Sequence, residues 1–333
     1  IEVLDLETCE VKTVRVAEVV SETWKNVTVR KKRKGKGATE DIPSITVLSV
    51  KRADGRTGEA IDGANREIRR RNFKEAASLM KSVSGGGYRV QADTGERFYN
   101  SFDAGDPKGK NSRPSWQSEY SHFLYAKALY LQGTAEEDKR ILGEALLALD
   151  DVPVPGAKEK QSSGGFLGRF SGGNSRFYPE ALNLKALTLV GLGKYDEAEK
   201  AFKELADFAV EIPLHPRWSF EAAIGPGIIR EAQDDESGAI DAYNAAAGKV
   251  LALVKRELRG CLRLELGRLF SRAQVMATAV KLRQAEKSPN KKALLAKLRT
   301  ELEGARPENL RRKYRTLPKA AQDALVQGAR DPM

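Results

Sequence analysis

Apolar and polar residues alternate with period two through the first fifty positions, then switch to a helical period. Val14, Val16 and Val19 mark one strand, with a slip near Ala17 that reads as a bulge, and Val27 and Val29 mark the next. The run Arg30-Lys31-Lys32-Arg33-Lys34-Gly35-Lys36-Gly37 sets glycines inside a charge cluster, which fits a hairpin turn between exposed strand ends. Ile42-Pro43-Ser44 precedes a last strand, Ile45 to Val50, with Val47 and Val50 inward. Short strands in such a rhythm predict a small, strongly bent β-barrel over residues 1–53.

From Gly58 the spacing is 3.6. Ala60, Ile61, Ala64 and Ile68 form one stripe; Phe73, Ala76, Ala77 and Met80 form a second after a break at Arg71-Asn72. Two helices joined so tightly fold back as an antiparallel hairpin over 54–84. A long polar loop is expected over 85–115, after Ser84-Gly85-Gly86-Gly87. Helical pattern returns at Trp116, with Tyr120, Phe123, Leu124, Ala128 and Leu131 on one stripe and Ile141, Leu142, Ala145, Leu146 and Leu149 on the next. A Gly-rich loop at 155–175 carries Phe166, Leu167 and Phe170. Apolar anchors on such a segment make it a candidate docking loop, unless they tuck onto the adjoining helices. Helical repeats are expected over 116–254. Leu258, Leu262, Leu266 and Leu269 then begin a set of amphipathic helices over 255–333, restarted at Ser288-Pro289, Pro307 and Pro318.

The stretch from Pro179 to Ala209 is the most informative. Leu182 is followed by the small Ala186 at a helix contact, Gly193-Lys194-Tyr195 makes a tight turn, and Ala198 and Phe202 mark the second helix. On those residues it resembles a tetratricopeptide repeat, although the closing proline is replaced by Val210 and delayed to Pro213. Weaker copies follow the same signature: Ala64 with Phe73, Ala76 and Met80; Ala128 with Leu142, Ala145 and Leu149 across a longer turn; Gly227 with Ala239 and Tyr243. One helix pair cannot bury its own face, so repeats are expected to stack. The N-terminal segment is similar to SH3-like and Sm-like barrels in length and strand rhythm. The fold expected is mainly α: a tetratricopeptide-like helical-hairpin solenoid behind a small N-terminal β-barrel.

The tetratricopeptide resemblance implies a partner-binding groove lined by first helices. The matching positions are His122, Tyr125 and Leu129, then Glu180, Asn183 and Leu187, then Glu221, Ile224 and Ile228. These are mostly apolar with a few acids and lack the Lys and Arg that would clamp a peptide carboxylate. An extended or helical peptide with apolar and some basic side chains suits them better.

Charge adds a second candidate surface. The chain carries a net charge of +11, and from Val250 onward 20 Lys and Arg stand against 8 Asp and Glu, an excess of 12. With Arg30, Lys31, Lys32, Arg33 and Lys34 near the start and Arg311, Arg312 and Lys313 near the end, a basic patch for an acidic partner is expected. The alternative function is therefore binding of nucleic acid or another anionic polymer, though interleaved aromatics for base stacking are lacking.

Catalysis finds no motif. Gly105-Asp106-Pro107-Lys108-Gly109-Lys110-Asn111-Ser112 is one residue short of a phosphate loop, and Gly225-Pro226-Gly227 lacks the third glycine of a dinucleotide fingerprint. Two histidines, His122 and His215, and two cysteines in different expected domains make neither a metal site nor a disulfide framework. Cys261, between Leu258 and Leu266, is expected to pack as a small apolar residue. No cofactor and no membrane span are expected. The chain opens on Ile1: a cleaved leader would place it in an exported or periplasmic compartment, its absence in the cytoplasm. The reading is a non-enzymatic scaffold for protein partners, self-association included.

Overall fold

The computed structural model describes residues 1–16, 18–22, 26–31, 38–43, 47–49, 55–83, 89–90, 97–98, 116–149, 177–211, 216–257 and 259–330. Among them the chain is mainly helical, with short antiparallel strands at the N-terminus. It divides into two compact units. The first comprises Ile1 with Arg15–Lys194, and the second Glu2–Val14 with Tyr195–Met333.

In the first unit, β3 (Glu18–Glu22), β4 (Asn26–Arg30) and β5 (Thr39–Pro43) form an antiparallel meander, and β6 spans Val47–Ser49. Val27 and Val29 on the central strand are fully buried, while Thr28 faces outward and donates to Asp41 Oδ1 at 2.6 Å. The strands on either side of the basic run pair antiparallel, with Arg30 opposite Thr39, while the run's turn at 32–37 lies outside the described residues. The barrel is not. The described strands form separate small sheets without closing, and β1 (Glu2–Leu4) and β2 (Val11–Thr13) cluster with the second unit instead. The strand expected through Val14, Val16 and Val19 is also interrupted. Residues 14–16 are not extended ladder, and the register slip lies between Val19 and Ser21. Strands of three to five residues are too short to bend round and meet.

Helices α1 (Gly55–Arg69), α2 (Phe73–Val83), α3 (Trp116–Ala135), α4 (Lys139–Leu149) and α5 (Tyr178–Gly191) complete this unit, with a two-stranded ribbon of β7 (Arg89–Val90) and β8 (Arg97–Phe98). Ala64 and Ala76, both 0% exposed, bring α1 and α2 together above Met80. Phe123, Leu124, Ala128, Ile141 and Ala145 continue the core, and Phe177 stacks on Phe123 at 5.6 Å before Ala181 and Leu184 enter it.

The second unit adds α6 (Tyr195–Glu211), α7 (Pro216–Ala232), α8 (Glu236–Arg256), α9 (Gly260–Lys287), α10 (Lys291–Gly304), α11 (Pro307–Lys313) and α12 (Lys319–Arg330). Its core joins Phe220 and Ile224 of α7, Tyr243 and Val250 of α8, Leu266, Leu269 and Phe270 of α9, and Leu325 of α12. Gly225-Pro226-Gly227 lies inside α7. The Phe202 ring of α6 lies against Gly225 and the Tyr243 ring of α8 against Gly227, so closely that a methyl at either position would overlap the ring.

Among the described residues one turn recurs four times. Arg71, Glu137, Gly193 and Asp234 adopt φ of 62, 54, 76 and 60°, each just past a helix. The next residue's N–H reaches back five positions at 2.9 Å: Asn72 to Glu67, Asp138 to Gly133, Lys194 to Leu189 and Asp235 to Arg230. This is the Schellman closure, which satisfies carbonyls a helix end leaves open. At two of the four the same next residue caps the following helix: Asp138 Oδ1 accepts from Arg140 and Ile141, and Asp235 Oδ1 from Gly238. The turn before α4 is therefore as short as the others. The longer turn expected there is an extra stretch of α3.

Helix α12 meets α9 almost backbone to backbone. A Cβ at Gly267 would sit 2.1 Å from the Ala324 carbonyl oxygen, and one at Gly328 would sit 2.2 Å from the Gly267 carbonyl carbon. Gly267→Ala or Gly328→Ala should therefore cost about 2–3 kcal/mol, because backbone cannot step aside as a side chain can. Gly143→Ala and Gly248→Ala, where nothing lies within 4 Å, should stabilise by about 0.5–1 kcal/mol. Calorimetric melting of the four variants checks this, and equal shifts would contradict the close crossing.

Candidate interaction surfaces

The positions that the repeat resemblance nominates for a groove fall on α3, α5 and α7. His122 lies within α3. Tyr125 and Leu129 on the same helix are 6 and 5% exposed, and both belong to the first unit's core. On α5, Asn183 is buried with its Oδ1 unpartnered, and Glu180 and Leu187 are half-buried. On α7, Glu221 and Ile224 are buried and Ile228 is half-buried against the core. Packing thus takes up Tyr125, Leu129, Glu221 and Ile224, and leaves Glu180, Leu187 and Ile228 with surface. A single helix wheel could not separate these groups, since a helix flanked on two sides buries more than one stripe.

Ion pairs add to the apolar packing between these helices and their neighbours. Lys127 Nζ donates to Glu180 Oε1 at 3.0 Å, linking α3 to α5. In the second unit Arg272 bonds Glu221 at 2.6 Å, Arg283 bonds Glu231, and Lys287 bonds Glu236 at 2.7 Å. Glu221 with Arg272 and Glu231 with Arg283, 51 and 52 residues apart, rise together along both helices, so α9 runs alongside α7 in the same direction. The Arg272 guanidinium also lies 5.4 Å from the Phe220 ring centre. Tyr243 donates to Glu231 Oε2 at 2.7 Å; burial, reinforced by that carboxylate, pushes its hydroxyl pKa well above the ordinary tyrosine value. Burial likewise raises the Glu265 carboxyl, against the pull of Arg217 and Arg268.

The basic patch is only partly available. Lys31 bridges to Glu40 and Arg311 to Asp323, while exposed Lys313 lies 5.5 Å from the Tyr314 ring centre beside exposed Arg312. Arg30 sits half-buried in β4. Lys32, Arg33 and Lys34, the docking loop with Phe166, Leu167 and Phe170, and the segment 105–112 lie outside the described residues.

The cysteines overturn their reading. Cys9 and Cys261, 252 residues apart, form a disulfide. Cys261 is therefore no simple packing residue, and no spacing rule could have paired two cysteines across such a distance. Among the described residues no cluster of His, Cys, Asp and Glu could hold a metal ion, and no helix is long and apolar enough to cross a membrane. Comparison with family models, with characterised proteins and with solved structures found no match to this chain.

The ion pairs differ in burial, which makes them separable. Glu221 is 5% exposed, whereas Lys281 and Glu301 are 31 and 42% exposed. Arg272→Met should cost roughly 3 kcal/mol in urea unfolding, because it strands a buried carboxylate. Lys281→Met should cost about 1 kcal/mol or less. Adding Glu221→Leu to Arg272→Met should restore most of the loss, and no recovery would mean that the arginine acts through packing alone.

Proposed function

We propose that this protein is a non-enzymatic interaction scaffold, a solenoid of tetratricopeptide-like helix pairs that binds partner polypeptides on the faces of its first helices. The observation that carries this reading is the fourfold recurrence of one Schellman-closed turn at Arg71, Glu137, Gly193 and Asp234. The same-direction alignment of α7 with α9 supports it, since alternate helices in stacked pairs run parallel. With Tyr125, Leu129, Glu221 and Ile224 used in packing, the partner-facing positions are Glu180 and Leu187 in the first unit and, taken by itself, Ile228 in the second. The half-exposed Lys127–Glu180 pair, with Leu187 on the same helix as Glu180, suits an amphipathic or extended peptide with apolar side chains.

Leu187→Glu and Ile228→Glu place a charge on half-buried surface. Each should remove crosslinked polypeptide partners recovered from the source cell while lowering the melting temperature by no more than a few degrees. An unchanged partner list from two folded variants would sink the scaffold reading.

A second reading rests on Arg312, Lys313, Arg315 and Lys319, which are exposed and, among the described residues, hold no acid. If these four engage phosphates, affinity for single-stranded RNA should drop about a hundredfold between 50 and 200 mM salt. The three α9 cations already bonded to Glu221, Glu231 and Glu236 weigh against a larger effect. Absence of binding at the lower salt removes this reading.

A further inference from the structure

Large apolar side chains left in water gather on one helix pair. Among the described residues six are exposed, and four of them, Val275, Leu282, Leu294 and Leu302, belong to α9 and α10, each between 37 and 57% exposed. On α9, the exposed residues Val275, Ala279, Leu282 and Glu286 recur at helical spacing, so one face of its C-terminal half stands open. On α10, Leu294, Leu298 and Leu302 recur every fourth residue. Leu298 is the helix's single buried residue, and the leucines on either side of it lack such cover. Lys281 bonds Glu301 at 2.6 Å, so α10 doubles back along that same half of α9.

The charge around these residues has one sign. Lys291, Lys292 and Lys297 are exposed and, among the described residues, hold no acid. The two acids of α10 are already engaged, Glu301 by Lys281 and Glu303 by Arg299 at 3.6 Å. Lys291 and Lys292 open the helix with no acid in its first turn, where the helix dipole already favours an anion.

We propose that the α9–α10 pair is a peripheral docking surface for an anionic lipid bilayer. Val275, Leu282, Leu294 and Leu302 enter the acyl boundary, while Lys291, Lys292 and Lys297 lie among the headgroup phosphates. A basic amphipathic helix of this kind rests in the interface plane with its apolar side about 5–10 Å deep. The combination of residues selects the occupant. RNA would answer the lysines but gain nothing from the leucines, and the one aromatic residue of the pair, Phe270, is buried and cannot stack on a base. A protein partner is anchored mainly by aromatic residues and arginine, whereas the open residues here are aliphatic and the open cations are lysines.

The test is co-sedimentation of the full chain with vesicles. Partition onto phosphatidylcholine containing about one-third phosphatidylglycerol should exceed that onto phosphatidylcholine alone at least tenfold. Replacing Lys291, Lys292 and Lys297 together by Gln should weaken binding to the anionic vesicles roughly a hundredfold, at about fivefold for each lysine near the surface. Leu294→Gln with Leu302→Gln should weaken it roughly tenfold, with the melting temperature held within a few degrees. Equal partition onto the two kinds of vesicle would overturn the proposal. So would a leucine variant that binds anionic vesicles as well as the parent, since cations alone would then hold the protein. Parent protein that binds single-stranded RNA and no vesicle would assign the lysines to nucleic acid. A dimer that Leu302→Gln dissolves would assign the leucines to a second copy, and either result overturns the bilayer.

Discussion

A helix of ten to twenty residues is marginal in water by itself, and it persists when another element covers its apolar stripe. The constraint on this chain is to reverse direction within about three residues and leave no helix carbonyl stranded. The left-handed residue does both, turning the backbone while the next N–H closes on a carbonyl five positions back. Given that reversal, Ala64 meets Ala76, and Gly225 and Gly227 receive the rings of Phe202 and Tyr243. The small residues matter because the turn has already set the helices close. A loose connection would leave their size without consequence.

That turn also explains what was legible beforehand. At Gly193 the residue type announces the conformation, and the repeat was read there. Arg71 and Glu137 adopt the same backbone against their steric preference, so residue type does not announce it, although the break at Arg71-Asn72 shows in the helical spacing. The helices around them were still found, because a 3.6-residue apolar period survives an unreadable turn. The strands fared less well. Short alternating segments specify pairing weakly, and nothing in Val11 to Val29 says that one strand pair clusters apart from the next three. Site positions were harder again. Tyr125, Leu129 and Ile224 do lie in helices, as the spacing implied, but exposure depends on how many neighbours each helix has, which is a tertiary fact.

Charge shows the same distinction between composition and placement. An excess of twelve in the C-terminal third reads as a surface awaiting an acidic partner. Part of it is answered within the fold, where Arg272, Arg283 and Lys287 take acids from α7 and α8. These bonds act between helices roughly fifty residues apart and set the register of one against the other. Arg272, Arg283 and Lys287 on α9 are thus assembly contacts first, while exposed Arg312, Lys313, Arg315 and Lys319 group around α11 and the start of α12.

The disulfide has a consequence in time as well as in space. Its two sulfurs are separated by 252 residues of chain. At ordinary synthesis rates of about 5–20 residues per second, Cys9 leaves the ribosome roughly 13–50 s before its partner exists. For that interval it is a lone thiol on a nascent chain, beside a strand pair whose resting place has not been made. Whichever cell makes this protein must keep Cys9 from pairing elsewhere until the start of α9 has been delivered.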